Sequence, residues 1–159
     1  GLGPEYVRIA VRPPEQAAQM RDADFSNADL SGARIAADLT RSNLAGATLA
    51  GADLSADMKN QSMGLMRAVL DSANLSGADL SGANLSRARL RFAKLAGADL
   101  SRADLSRADL AGADLTGAKV AGANFDGAEV ASAKLIDLME EALAVNLDRA
   151  SNLDRAVRE

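Results

Sequence analysis

The chain contains no cysteine, no histidine and no tryptophan. Without thiols it has no disulfide, no thiolate nucleophile and no Cys-based metal site. Without imidazole it lacks the side chain that most often serves as general base near neutral pH. Aromatics are scarce: Tyr6, Phe25, Phe92 and Phe125 are the whole set. A conventional globular core in a chain of 159 residues would hold more of these large side chains, so something smaller must fill the interior. No apolar run reaches the roughly 18 residues that cross a bilayer, which argues against a transmembrane helix. The formal net charge of −4 is too mild to name a class of partner. The first residue is Gly and not Met, so no leader is readable; the absence of Cys fits either side of a membrane, the cytoplasm is slightly favoured, and the missing initiator Met leaves the periplasm open.

What the chain does contain is a period of five. From Ala73 it reads A-N-L-S-G, A-D-L-S-G, A-N-L-S-R, A-R-L-R-F, A-K-L-A-G, A-D-L-S-R, and continues in phase to Leu135. A large apolar residue falls on every fifth position from Leu65, with Ala two residues before it except at Met63. Upstream, Phe25, Leu30 and Ile35 follow the same rule. A step of four then leads to Leu39, Leu44, Leu49 and Leu54, and Ser42 stands where Ala would precede Leu44. From Leu54 to Leu65 the spacing reads as two repeats plus one residue, restoring the original phase. Five fits neither the helical period of 3.6 nor the strand period of 2. Two apolar positions on one side of a short extended segment, then a polar corner, describe one edge of a coil.

These repeats resemble the pentapeptide-repeat family, whose motif is A-(D/N)-L-x-x, over residues 22–137. The resemblance implies an all-β solenoid, a right-handed quadrilateral β-helix with four pentapeptides per coil. The repeats would then make nearly six coils, a rod of roughly 28 Å at about 4.8 Å per coil. The expected core comprises Leu30, Leu44, Leu54, Leu75, Leu80, Leu85, Leu90, Leu95, Leu100, Leu105, Leu110, Leu115, Val120, Phe125, Val130 and Leu135. Ala78, Ala98, Ala108 and Ala118 are the small inward partners that a narrow tube requires.

The flanks divide the chain into residues 1–21, 22–137 and 138–159. Tyr6 to Arg12 alternates like a strand and Pro13-Pro14-Glu15 opens a short helix, together an N-terminal cap. At the other end Asp137 and Glu140 form a candidate capping box. Met139, Leu143, Leu147 and Leu153 then follow at helical spacing, so the expectation is an α-helical cap, one helix or two split near Ser151, with a homodimerisation surface as the alternative or additional role. Residues 55–64 interrupt the repeats. Met58, Met63 and Met66 cluster there, and their thioethers read as flexible packing in preference to a Cu(I) site. No cofactor is expected.

Residues twenty apart should share a face. Arg67, Arg87 and Arg107 then form one corner column with Arg89 and Arg91 beside it, a candidate surface for a protein partner. Two further columns are expected, one of Arg34, Asp53, Asn74, Lys94, Asp114 and Lys134, the other of Asp24, Asn43, Asn84, Asp104 and Asn124. The outward serines have no base to activate them, so the function read from the sequence is a non-enzymatic interaction scaffold. The alternative that the resemblance implies is mimicry of duplex DNA towards DNA gyrase, the quinolone-resistance role within the family. It needs a strongly acidic rod, whereas Leu65 to Asp137 carries nine basic and nine acidic residues. Direct nucleic-acid binding is not expected, because the basic strip has no aromatic interleaving.

Overall fold

The computed structural model describes residues 20–56 and 67–159. Each regular pentapeptide places one residue in parallel bridges with the coils on either side, and these bridges fall into four columns. The first side carries Asp24, Asn43, Asn74, Lys94, Asp114, Lys134 and Val157. The second carries Asp29, Thr48, Asp79, Asp99, Lys119 and Met139. The third carries Arg34, Asp53, Asn84, Asp104, Asn124 and Val145, and the fourth Asp38, Val69, Arg89, Asp109, Glu129 and Ser151. The molecule is thus a four-sided repeat solenoid.

The pentapeptide Ala78–Gly82 explains the motif. Ala78 N–H donates to Leu75 O across the corner at 3.0 Å, and Asp79 N–H donates to Ala47 O on the preceding coil at 2.9 Å. Leu80 and Gly82 donate to Asp99 O and Ser101 O on the following coil, both at 2.8 Å. One donor is left, Ser81 N–H, and the Asp79 carboxylate accepts it at 2.9 Å. Asp or Asn at the bridging position therefore completes the backbone accounting through an Asx turn. The same contact recurs at Asp24, Asn74, Asp99 and Asn124. Gly82 has φ +65°, left-handed backbone within the turn that the Ala83 N–H to Leu80 O bond closes at 3.0 Å, where glycine carries no Cβ penalty.

Small and large apolar residues line the tube. Leu44, Leu54 and the centres from Leu75 to Leu115 are fully enclosed, as are Val120, Phe125, Val130 and Ala78, Ala98, Ala108 and Ala118; Leu135 is nearly so. Leu30 is only half-buried, whereas Ile35 on the same coil is enclosed. Full burial of a Leu contributes about 1.5–3 kcal/mol. No coil can enclose its own centre, so this gain belongs to neighbouring coils together.

Two expectations are corrected. The first concerns register. Asp38 bridges Val69 and Asp53 bridges Asn84, thirty-one residues on, against twenty for Asp79 and Asp99. The interruption therefore adds eleven residues to one corner and does not continue the sides. Ala68 N–H still donates to Leu54 O at 3.3 Å, the bond that closes an ordinary corner. A corner absorbs extra chain at little entropic cost because loop closure depends only weakly on length. The two expected columns are consequently spliced from different sides. Arg34 and Asp53 stack with Asn84, Asp104 and Asn124, while Asp24 and Asn43 stack with Asn74, Lys94, Asp114 and Lys134. Leu65 and the three clustered methionines lie outside the described residues, as does the expected N-terminal cap up to Gln19.

The second concerns residues 138–159, which form no α-helix. They wind as a last coil of six-residue units with 3₁₀ turns at Glu141–Leu143, Leu147–Arg149 and Leu153–Arg155. Met139, Leu143, Leu147 and Leu153 share no helical stripe. Asp137 and Glu140, the expected capping box, both hold left-handed backbone. The preceding coil offers a row of unpaired donors and acceptors, and a continued coil satisfies them. Val145 N–H donates to Ala123 O at 2.8 Å and Phe125 N–H to Val145 O at 2.9 Å. A packed helix would leave that edge unpaired, so tertiary context overrides the amphipathic pattern. The signal was present as A-V-N-L-D-R (residues 144–149) followed by A-S-N-L-D-R (150–155). Asn146 and Asn152 take φ 55° and 58°, which Asn tolerates better than most residues.

Candidate functional site

Apolar side chains fill the tube among the described residues, so candidate sites are surfaces. Five large apolar side chains are exposed among the described residues. Met139, Leu143, Val145 and Val157 sit on the last coil, and Phe92 sits alone at a corner between the fourth and first sides. These positions and the arginine strip are the two regions that differ from the repeat background.

Arg87 and Arg107 occupy one corner on successive coils. Their N–H groups donate to Ser106 O at 3.0 Å and Asp126 O at 2.9 Å, and both hold left-handed backbone. Arg67 reaches this corner, its guanidinium donating to Arg87 O at 3.4 Å. Arg89 stands on the fourth side and is paired with Asp71. The hydrogen bonds that Arg89 donates to the Asp71 carboxylate outweigh desolvation and raise the Arg89 pKa above its ordinary value. Arg91 lies 3.7 Å from Asp109. The structure thus brings the five arginines to adjoining corners and sides, and carboxylates answer two of them. Sequence reasoning passed over Phe92, although it stands two beyond the centre Leu90, the same repeat position that put Arg87 and Arg107 on an outward corner.

Elsewhere the surface neutralises itself. Lys119 pairs with Asp99 at 3.4 Å and Lys134 with Asp114 at 3.2 Å, each reaching back one coil. Asn74 donates to Asn43, and Asn43 to Asp24, in an amide ladder up the first side. Such exposed pairs contribute little each, about 0–1 kcal/mol, and they remove like-charge repulsion between coils.

At the C-terminal end Leu147 and Leu153 are half-buried against the core and close the mouth of the tube. With Glu141, Asp148, Asp154 and Arg158 they line an open basin of about 490 Å³, across which Arg158 pairs with Glu141. Asn152 donates to both oxygens of Glu129 and Asn146 to Asn124, holding the last coil on. Among the described residues no group of three acidic side chains is placed to hold a metal ion. Among them, too, no helix is long and apolar enough to cross a membrane.

The pentapeptide-repeat family model matches residues 18–56 and 65–137. HetL, a pentapeptide repeat protein involved in heterocyst differentiation regulation from the cyanobacterium Nostoc sp. strain PCC 7120, is 31% identical. The match covers 86% of this chain and 70% of HetL, with a TM-score of 0.48. Rfr23 from the cyanobacterium Cyanothece 51142 is 24% identical over 74% of this chain and 87% of its own, with a TM-score of 0.49. QnrB1, a plasmid-mediated fluoroquinolone resistance protein, is 17% identical over 86% of this chain and 79% of its own, with a TM-score of 0.48. No curated protein matches the sequence. With its repeats matched on both sides of the interruption and wound into a four-sided solenoid, this chain belongs to the pentapeptide-repeat family.

Proposed function

We propose that the protein is a non-enzymatic scaffold that holds a protein partner against the outside of its solenoid, through the corner and side carrying Arg67, Arg87, Arg89, Arg91 and Arg107. The observation that carries this reading is the concentration of arginines on adjoining positions of an otherwise self-neutralising surface. The coil-to-coil hydrogen bonds fix that surface in advance, so a partner meets little ordering cost. Among the described residues the interior is filled with apolar side chains, so the surface is where a partner would be met.

Mimicry of DNA is the weaker reading. Lys94 and Lys134 break the first side, Lys119 the second and Arg89 the fourth, and the third alternates Asp53 and Asp104 with the neutral Asn84 and Asn124, so no continuous acidic track of duplex spacing runs up the described coils. Supercoiling by DNA gyrase in the presence of a fluoroquinolone is expected to be unaffected by the protein; protection would favour mimicry. The scaffold reading is tested by in-cell crosslinking of the full chain beside an Arg87→Glu/Arg107→Glu variant. Loss of a specific crosslinked protein in the variant supports it, and an identical crosslinking pattern refutes it.

The last coil favours a second copy of this chain as an additional partner. Met139, Val145 and Val157 are exposed on its second, third and first sides, with Leu143 between Met139 and Val145, and Asp148, Arg149, Asp154 and Arg155 alternate in sign along the same coil, which suits a two-fold contact. Light scattering should give a dimer for the wild type and a monomer for Leu143→Glu. A monomeric wild type removes the idea.

A further inference from the structure

Apart from the last coil, Phe92 is the one exposed large apolar side chain among the described residues, at 62% exposure. It also holds φ 57°, at the corner position that Gly112 occupies on the next coil. Exposure of a phenyl ring and left-handed backbone both work against the fold. The ring reaches over Gly112, where a Cβ would lie 2.4 Å from Phe92 Cδ1. Gly112 thus leaves room for the ring to rest across the corner with one surface to solvent. The corner itself is stiff, with Phe92 N–H on Ala111 O at 3.0 Å and Ala93 N–H on Leu90 O at 3.1 Å. A residue unfavourable to stability, seated by its neighbours and rigidly presented, is what a binding anchor requires.

The charges around it choose the partner. Arg91 adjoins Phe92 in the chain, Arg89 stands on the fourth side and Lys94 on the first. Arg89 and Arg91 are held in place by Asp71 and Asp109. Arg87, Lys94 and Arg107 make no ion pair among the described residues. We propose that the Phe92 corner is the anchor for an acidic protein segment, which presupposes the scaffold role above. An apolar side chain of the partner packs on the open surface of the ring, and its carboxylates meet Arg87, Arg91 and Lys94. A nucleic-acid strand fits less well. One ring gives no stacking ladder, and Asp71, Asp109 and Asp114 stand among the cations and repel a continuous row of phosphates.

The test is selection of a phage-displayed library of peptides of about twelve residues on the full chain. The enriched peptides are then titrated by fluorescence anisotropy against wild type, Phe92→Gly and Arg91→Glu. Phe92→Gly removes the left-handed strain, so it should melt no lower than wild type and any loss of binding reports the anchor. Enriched peptides should carry an apolar residue flanked by Asp or Glu. Binding should weaken about tenfold or more in Phe92→Gly, and should weaken as salt rises. The proposal is overturned if no peptide is enriched, if the enriched peptides lack acidic residues, or if Phe92→Gly binds them unchanged. It is also overturned if a twenty-nucleotide oligo-dT binds through Phe92 and the peptides do not. A protein crosslinked through Arg87 and Arg107 but indifferent to Phe92→Gly would leave the scaffold role standing and remove this anchor.

Discussion

Replacing Ser42 by Ala should stabilise the protein. Ser42 occupies the small inward position of the first side, where Ala73, Ala93, Ala113 and Ala133 stand on later coils. It is fully buried, and its hydroxyl has no hydrogen-bond partner among the described residues. A buried hydroxyl without a partner costs about 1–3 kcal/mol. Removing one oxygen leaves a void of order 10 Å³, which returns only about 0.2 kcal/mol of that. The backbone bond from Ser42 N–H to Leu39 O at 3.0 Å is untouched by the change. A net gain of about 1–3 kcal/mol follows, or about 2–11 °C in Tm for a chain of this size. Urea and thermal unfolding followed by far-UV circular dichroism measure it. Because solenoids open locally, amide exchange at Asn43 and Leu44 should slow as well. The mirror change, Ala47→Ser on the second side, should lose a comparable amount, since Ala47 is equally enclosed. A Ser42→Ala variant with unchanged or lower stability would refute the reasoning, because the hydroxyl would then have a partner.

Leu100→Ala should cost about 2–5 kcal/mol, the range for a fully enclosed leucine, read as a drop in urea midpoint. Gly97→Ala meets nothing within 4 Å and should lose only the left-handed penalty of about 1–2 kcal/mol, while Gly112→Ala must also displace the Phe92 ring and should lose more. Equal losses in thermal melts of the two variants would contradict the ring's position. Asp99 and Asp114 titrate below the ordinary 3.8, first through hydrogen bonds from Ser101 and Thr116 and then through Lys119 and Lys134. A carboxylate lowered in the folded state contributes stability that is complete above 3.8 and is lost as pH falls through its folded value. Stability should therefore hold from pH 7 to about 5 and decline below about 4, and the decline should be shallower in Asp99→Asn/Asp114→Asn; identical acid profiles would count against these contacts.

The sequence alone determined the unit of the fold. Ala and Leu two residues apart, recurring at five, can be buried together only if the chain turns after each pair, so the tube and its filling from Leu75 to Leu135 are written in the period. The Asp and Asn between them act within two residues of themselves, and such local chemistry is legible without coordinates. Three things waited for the tertiary structure. Register across the interruption depends on which corner absorbs eleven residues, and spacing cannot distinguish one long corner from two extra sides. The last coil depends on hydrogen bonds offered by the coil beneath it, so A-x-N-L-D-R read alone looks like an amphipathic helix. The exposure of Phe92, its seat over Gly112 and the carboxylates answering Arg89 and Arg91 come from residues about twenty apart, which meet only once the coils are stacked.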